Sequence, residues 1–243
     1  MKPTLSILIL VLEHRNWRPL QRHLGLLRSK LKNPEAVEVL IESDNGTLAS
    51  GIKRQRLVNR AKGKYYCFVD DDDWVADDYL EQILKGCRSH ADVVTFALET
   101  FGNKIKEFWR FGLYKDHRQF GLMAANHLCA WKSPLARQVG WCPYLGYGDD
   151  QMWYKPLMAS GLVTTCFYIN EPLYHYRLNL NTSANQSRLK VQMARQYVGK
   201  GLKCFWMGDE IVIQSKGDKV INSKGIEIVP DKQLEQFAVV GLQ

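Results

Sequence analysis

The sequence Lys-Tyr-Tyr-Cys-Phe-Val-Asp-Asp-Asp-Asp-Trp, residues 64–74, joins an apolar run to four consecutive carboxylates. The apolar half predicts a buried strand that removes Tyr66 and Phe68 from water. The adjacent anions Asp70 to Asp73 repel one another and resist burial unless a positive charge neutralises them. A divalent cation is one candidate, and a solvated acidic loop before a helix is the alternative. Because ligands of open α/β sheets bind beyond the carboxyl ends of strands, the preceding strand favours a ligand site.

The length and composition predict a globular protein. The 243 residues, 46% of them hydrophobic, suffice for one substantial core with an appendage. The longest early apolar run, Leu5 to Leu12, is far shorter than the roughly 20 residues that span a bilayer, so we expect no integral membrane segment. Six cysteines without C-x-x-C spacing are typical of reduced thiols and predict a cytoplasmic location. The net charge of +8 favours anionic partners such as nucleotides, nucleic acid or anionic membrane surfaces.

Strand and helix patterns alternate along the chain. Strands are predicted over 6–12, 37–41, 65–69, 92–98, 126–131, 162–169 and 172–177, and helices over 20–31, 52–61, 79–87 and 149–160, with a further helix start at Ser133-Pro134. The region 99–125 mixes aromatics, glycines and charges, and no element is predicted there. This alternation predicts the α/β class, with a Rossmann-like, mostly parallel central sheet flanked by helices.

The composition changes beyond Asn185, which predicts two domains. Residues 1–185 would carry the α/β core, and residues 186–243 would form a C-terminal helix plus a β-hairpin appendage. The helix is predicted over 188–198, and the hairpin strands over 210–214 and 219–228.

Two further constellations lie far from the four aspartates in sequence. Asp149-Asp150 follows a glycine-rich, aromatic run, and His175 stands between two tyrosines at the end of a late strand. Carboxylates with open positions for phosphate suit Mg²⁺ or Mn²⁺ bridging a diphosphate, and a nearby imidazole favours Mn²⁺. Asp150 is our candidate general base for an attacking hydroxyl. The alternatives are carboxylates that stabilise a helix N-terminus and a purely structural histidine.

The stretch Gly-Ile-Lys-Arg-Gln-Arg-Leu-Val-Asn-Arg-Ala-Lys-Gly-Lys-Tyr-Tyr-Cys-Phe-Val-Asp-Asp-Asp-Asp-Trp, residues 51–74, resembles family 2 glycosyltransferases of the GT-A fold. The similarity lies in the order and spacing of the Lys-Arg, Ala-x-Gly-x-Tyr and Asp-x-Asp-Asp series, and it extends over roughly residues 5–183. The resemblance implies a nucleotide-sugar donor, a bound Mn²⁺ or Mg²⁺, and direct displacement with inversion at the anomeric carbon.

The resemblance also implies roles for individual positions. Asp44 resembles the acid that contacts the nucleotide base, and Asp149-Asp150 resembles a Glu-Asp pair whose Asp is the base. The implied residues are Asp149 and Asp150 for catalysis; Asp44, Lys53, Arg54, Asp70, Asp71 and His175 for the donor; and Asp70, Asp72 and His175 for the metal. The metal pair Asp71/Asp73 fits the same spacing. We interpret His127, Trp131 and Trp141 as core or acceptor-wall residues, since a sugar can stack on an exposed indole although core packing is its commoner use. Trp141 and Tyr147 are our candidates for acceptor contacts.

The sequence departs from the family pattern at three places. Gln55 stands where the family often has Asn, and Asp149 replaces the usual Glu. Leu12-Glu-His-Arg15 replaces the familiar Pro-Thr-Tyr-Asn, which leaves nucleotide contacts at Glu13 and Arg15 open.

The leading hypothesis is a transferase that moves a sugar from a nucleotide diphosphate, UDP by preference, to a saccharide hydroxyl. The first alternative is a phage-type enzyme whose acceptor is a hydroxymethylated pyrimidine in DNA, reachable in a groove or flipped out. The others are a metal-dependent nuclease or phosphotransferase and an inactive nucleotide-binding module. The sequence leaves the sugar and the oligomeric state open.

Overall fold

The computed structural model describes residues 2–102, 105–114, 121–143 and 148–177, and four short strands between 203 and 228. These residues fall into two compact units: the first holds everything described up to Arg177, and the second holds the four later strands. The predicted domain boundary at residue 185 and the predicted helix over 188–198 lie outside the described residues.

The first unit contains nine strands and five helices among the described residues. In chain order they are β1 (Leu5–Leu12), α1 (Arg18–Ser29), β2 (Val37–Asp44), α2 (Ser50–Arg60), β3 (Tyr65–Phe68), β4 (Trp74–Val75), α3 (Tyr79–Cys87), β5 (Val93–Gly102), β6 (Ile105–Gly112), β7 (Leu122–Ala124), β8 (Ala130–Lys132), α4 (Ser133–Ala136), α5 (Asp149–Ala159) and β9 (Cys166–Arg177).

The nine strands form one sheet in the order β2-β1-β3-β8-β5-β6-β7, with β9 paired to β5 and β4 paired to β9. Strands β1, β2 and β3 pair in parallel, and β9 is parallel to β5. Strand β8 lies antiparallel between β3 and β5, so these two neighbours also run in one direction. The predicted α/β fold is therefore confirmed.

Helices cover both faces of this sheet. The chain leaves β1 for β2 on one side and then crosses back to β3 on the other, so two right-handed crossovers place α1 and α2 on opposite faces. Helix α1 packs against α3, while α2 packs against β1, β2 and α5. The reversal of strand order opens a crevice beyond the carboxyl ends of β1 and β3, where such sheets bind ligands.

The core follows from the apolar runs of the sequence. Strand β1 buries Leu5, Ile7, Leu8 and Ile9 completely, as expected for a central parallel strand with helices on both faces. Helix α1 contributes its buried side through leucines at helical spacing.

Several predicted elements differ from the structure. Strands β6 and β7 occupy the region where no element was predicted, and β8 has only three residues. The two late strands are one strand, β9, which starts at Cys166 and carries a bulge where Ile169 pairs with Phe96 and Pro172 with Ala97. Because proline cannot donate to the ladder, it is tolerated at such an irregularity.

The second unit contains an antiparallel sheet of four strands, β10 (Lys203–Met207), β11 (Glu210–Gln214), β12 (Val220–Asn222) and β13 (Glu227–Ile228), in that order. The predicted hairpin is therefore part of a larger sheet: β10 was not predicted, and the run 219–228 is divided into two strands. Among the described residues of both units, no helix is long and apolar enough to cross a membrane.

Helix α2 fixes the chain in front of α5 by close packing. A Cβ atom on Gly51 would lie 1.7 Å from the carbonyl oxygen of Cys142, so only glycine fits there. One turn further along α2, the side-chain oxygen of Gln55 accepts a hydrogen bond of 2.9 Å from the Trp141 backbone N–H. The first turns of α2 therefore set the path of residues 141–143.

We predict that Gly51→Ala lowers the free energy of unfolding by about 1–3 kcal/mol, because the added methyl group forces backbone to move. The matched control is Gly25→Ala on the exposed face of α1, where a Cβ meets nothing within 4 Å. Removing that helical glycine should raise stability by roughly 0.5–1 kcal/mol. Urea unfolding midpoints measure both effects, and a Gly51→Ala protein as stable as wild type would contradict the close contact.

Candidate active site

The four aspartates alternate between buried and partly exposed. Asp71 accepts the Leu12 backbone N–H at 2.9 Å and Arg15 Nη1 at 2.5 Å. The Asp70 and Asp72 side chains are 29% and 36% exposed, whereas that of Asp71 is 4% exposed. Asp70 and Asp72 are therefore the two that face solvent.

Asp73 is buried and bound to strand β9. Its carboxylate accepts the Tyr174 hydroxyl at 2.8 Å and the Arg177 backbone N–H at 2.8 Å. The Tyr174 oxygen also accepts the Asp70 backbone N–H at 3.0 Å, so one hydroxyl fixes both ends of the acidic run. Burial, followed by the charges of Asp70 and Asp72, raises the pKa of Asp73 well above its ordinary value.

Asp72 keeps an excess of negative charge around it. Arg15 Nη1 lies 3.0 Å from Asp72 Oδ2 and also binds Asp71. Despite this cation, burial and then the charge of Asp70 raise the pKa of Asp72 to about 6. The acidic run is therefore not fully neutralised by the described residues.

Arg54 of α2 connects Asp70 to the first turn of α5. Its Nη2 lies 3.6 Å from Asp70 Oδ1, and its Nε lies 3.0 Å from Asp149 Oδ2. The guanidinium carbon is 4.8 Å from the ring centre of Phe68 and 5.0 Å from that of Trp141. Burial acts to lower the pKa of Arg54, but Asp149 and Asp70 outweigh it and the pKa is raised.

His127 makes a second connection between the same two elements. Its Nε2 lies 3.7 Å from Asp70 Oδ2, and its Nδ1 lies 3.5 Å from Asp150 Oδ2. Burial acts to raise the pKa of Asp150, but His127 and Arg54 outweigh it and the pKa is lowered. These contacts run from one residue to the next in the order Asp149, Arg54, Asp70, His127 and Asp150. They close into a ring because Asp149 and Asp150 are consecutive in the chain, and we call these five residues the charge ring.

Asp44, another predicted donor residue, lies at the carboxyl end of β2, and Lys53 of α2 contacts it. Asp44 is paired in register with Leu12, at the same edge of the sheet as the aspartates. Its carboxylate accepts Lys53 Nζ at 2.5 Å and the Leu48 backbone N–H at 2.7 Å. Although burial acts in the opposite direction, these donors lower the pKa of Asp44.

His175 lies beside the acidic run, on β9 opposite Trp74. Its Nδ1 is 3.1 Å from Glu99 Oε2, which fixes the orientation of the ring. The predicted donor and metal role of His175 stays a prediction.

The predicted acceptor contact of Trp141 does not agree with its position. Trp141 is only 4% exposed, and it stacks on Trp153 at 4.8 Å between ring centres while Arg54 lies over its ring. Its faces are therefore covered, and no sugar can stack on them. The other predicted acceptor residue, Tyr147, lies outside the described residues.

Sequence reasoning missed His127, which it interpreted as a core or acceptor-wall residue. The residue precedes β8, and β8 lies antiparallel beside β3, so its start reaches the end of β3 next to Asp70. The available signal was a polar Asn126-His127 pair between apolar runs, but nothing in the sequence names β3 as the partner of β8.

The solvent-facing carboxylates fit a hard divalent cation. Among the described residues, no three His, Cys, Asp or Glu side chains form a complete metal-binding group. Mg²⁺ in nucleotide sites is held by one or two carboxylates together with substrate phosphates. Asp70 and Asp72 supply such a pair of partly exposed carboxylates.

Comparisons with known proteins find similar sequences among glycosyltransferases. The family model described as glycosyl transferase family 2 matches residues 27–138, which include Asp44, Arg54, the aspartates and His127. "Putative glycosyltransferase EpsH" of Bacillus subtilis (strain 168) is 26% identical over 161 residues, covering 58% of this chain and 45% of EpsH.

Solved structures of S. aureus TarS share the fold. TarS 1-349 in complex with UDP-GlcNAc has a TM-score of 0.56 and 14% identity, covering 77% of this chain and 61% of that one. The complex with UDP has a TM-score of 0.53 at 14% identity, covering 74% and 61%. The chain is thus similar to family 2 glycosyltransferases over residues 27–138, and it shares the GT-A fold of TarS. It spans less than half of EpsH and about three fifths of the TarS chains.

We predict that Asp72→Asn stabilises the metal-free protein above about pH 6. The folded-state pKa of Asp72, about 6, lies above its ordinary value of 3.8, so the folded state binds more protons than the unfolded state between these values. Wild-type stability should therefore fall as the pH rises through this window, and the neutral variant lacks that loss. Melting temperatures in EDTA should diverge towards pH 7.5 and converge near pH 4. A constant difference across this range would contradict the raised pKa.

Proposed function

We propose that the protein transfers a sugar from a UDP-sugar to an acceptor hydroxyl with inversion at the anomeric carbon. The observation that carries this proposal is the charge ring, because it holds the candidate base Asp150 and the diphosphate-side Asp70 against the same histidine. Direct displacement needs these two functions on opposite sides of one reacting carbon, at a fixed separation.

Asp150 is the better candidate for the base. Its side chain is 24% exposed, and its lowered pKa keeps it ionised at neutral pH, the form that accepts a proton. Asp149 is 6% exposed and binds Arg54, so we assign it to positioning that cation, not to the chemistry. Of the two adjacent carboxylates of α5, Asp150 is therefore assigned as the base and Asp149 as the residue that positions Arg54.

The donor would lie in the crevice beyond β1, β2 and β3. Arg54 Nη1 is buried and has no hydrogen-bond partner among the described residues, which suits a phosphate oxygen. Asp44 stands at the end of β2 with Lys53 of α2 bound to it, and the nucleotide base or ribose would lie there. The TarS structures with UDP and UDP-GlcNAc support a uridine nucleotide.

Asp70 and Asp72 would hold Mn²⁺ or Mg²⁺, and the imidazole of His175 would be a further ligand. A bound cation would supply positive charge to the departing diphosphate. Arg15 already contacts Asp72 from the β1 side, so this side chain is placed to orient the carboxylate and to balance its charge.

The nature of the acceptor is a separate question from the transfer itself. A saccharide hydroxyl is our first choice, and hydroxymethylated pyrimidines in DNA are the second. Transfer to both acceptor types should be measured at low and high salt. Because phosphate contacts release counterions, a steep loss of activity with salt is expected for DNA alone.

We predict that a UDP-sugar together with Mn²⁺ raises the melting temperature, and that Asp72→Ala abolishes the Mn²⁺-dependent part. Ligand at about 100 times its Kd stabilises by roughly 2.7 kcal/mol. The panel should contain UDP-, GDP- and dTDP-sugars, with Asp77→Ala as the control, since Asp77 is 93% exposed. Absence of any nucleotide-sugar-specific shift would count against the transferase.

We predict that Asp150→Asn reduces kcat for sugar transfer by about 10²–10⁴-fold, because the amide cannot accept the acceptor proton. Binding of the UDP-sugar, measured by calorimetry, should be retained. Asp77→Asn is the matched control and should keep wild-type kcat. If the purified protein instead hydrolyses phosphodiesters without consuming nucleotide sugar, the nuclease alternative replaces this proposal.

A further inference from the structure

His127 is held rigidly at the end of β3. The Phe68 backbone N–H donates to the His127 carbonyl at 2.9 Å, which ties the segment before β8 to the last residue of β3. The imidazole is 9% exposed and lies 6.1 Å from the Phe68 ring and 6.4 Å from the Trp141 ring. A side chain this confined has a fixed direction towards its polar neighbours.

Both ring nitrogens of His127 face carboxylates, and neither is satisfied by a hydrogen bond. Nδ1 and Nε2 are buried without a hydrogen-bond partner among the described residues. Their separations from Asp150 and Asp70 are 3.5 and 3.7 Å, slightly longer than a hydrogen bond. Such contacts are often long in the ligand-free enzyme and tighten when substrate is bound.

The charge ring restrains α5 at two successive residues. Asp149 is bound through Arg54 to Asp70, and Asp150 is bound through His127 to the same Asp70. One such connection would leave the first turn of α5 free to rotate about it. Two connections from adjacent residues, which point in different directions around a helix, remove that freedom.

From this geometry we infer that His127 is a positioning residue for the base, an inference that rests on the proposed transferase function. His127 holds Asp150 Oδ2, which leaves Asp150 Oδ1 directed at the acceptor hydroxyl, and it keeps this carboxylate at a fixed separation from Asp70. In this role, His127 contacts neither the reacting carbon nor the proton that is transferred. A histidine that only fills space between two aromatic rings is the competing explanation.

Two substitutions separate positioning from packing. His127→Phe keeps a flat ring beside Phe68 and Trp141 but removes both nitrogens. His127→Gln keeps a hydrogen-bonding group of smaller width and serves as a second variant if the phenyl ring impairs folding. The matched control is His23→Phe, since His23 is also 9% exposed and stacks on an aromatic ring, Trp74, at 4.4 Å.

The experiment measures kcat and donor KM for UDP-sugar transfer in these variants, alone and combined with Asp150→Asn. We expect His127→Phe to lower kcat about 10–100-fold, the cost of a misplaced reacting group, with donor KM within about threefold of wild type. His127→Gln should restore part of the lost rate. In Asp150→Asn, the same His127 substitution should cost nothing further, because a residue that acts through the base has no effect once the base is gone.

Each other outcome overturns one specific claim. Wild-type kcat in His127→Phe would leave packing as the role of His127. A full 10–100-fold loss in the Asp150→Asn background would show action independent of the base. A comparable loss in His23→Phe would show that any buried histidine has this effect. A wild-type protein that binds UDP-sugar but transfers no sugar would refute the proposed function, and His127 would then have no base to position.

Discussion

Arg54 and His127, the two nitrogen-bearing side chains of the charge ring, converge on Asp70. The end of β3 delivers four carboxylates to the crevice beyond the sheet, and adjacent anions repel unless each finds its own partner. Arg54 reaches Asp70 from α2, and His127 reaches it from the segment before β8. Because the same two side chains also contact Asp149 and Asp150, the position of α5 depends on a charge at the end of β3.

The four aspartates solve their common electrostatic problem in different ways. Asp71 and Asp73 are bound by backbone amides and by one cation or hydroxyl each, which makes them structural anchors to β1 and β9. Asp70 contacts both Arg54 and His127 in the charge ring. The pKa of Asp72 is raised to about 6 by burial and by the charge of Asp70. Burying an ion is unfavourable unless its partners are complete, so Asp72 remains the least well compensated carboxylate beside Arg15.

Much of the fold, and less of the site, followed from the sequence. The strands β1, β2 and β3 were predictable because central parallel strands are continuous apolar runs, and the edge of the sheet that carries Asp44 and Asp70 followed from their order. Strand β6 was not predictable because apolar and polar residues do not alternate cleanly along it, and one of its aromatic residues, Phe108, is 54% exposed. The role of each aspartate was also hidden, since its partners lie about sixty or a hundred residues away in sequence.

Trp141 and His127 show why local patterns fail at this site. The glycine-rich, aromatic stretch around Trp141 left open whether its ring packs in the core or contacts an acceptor. The bond from its backbone N–H to Gln55 of α2 and the position of Arg54 over its ring show that it packs in the core. Helix α2 belongs to the very segment that most resembles the family, residues 51–74. That segment therefore does more than present groups to a donor: its glycine admits the backbone before α5, and its arginine binds Asp149. The helix that carries Lys53 and Arg54 of the proposed donor site is therefore also the helix that holds the first turn of α5, where the proposed base Asp150 lies.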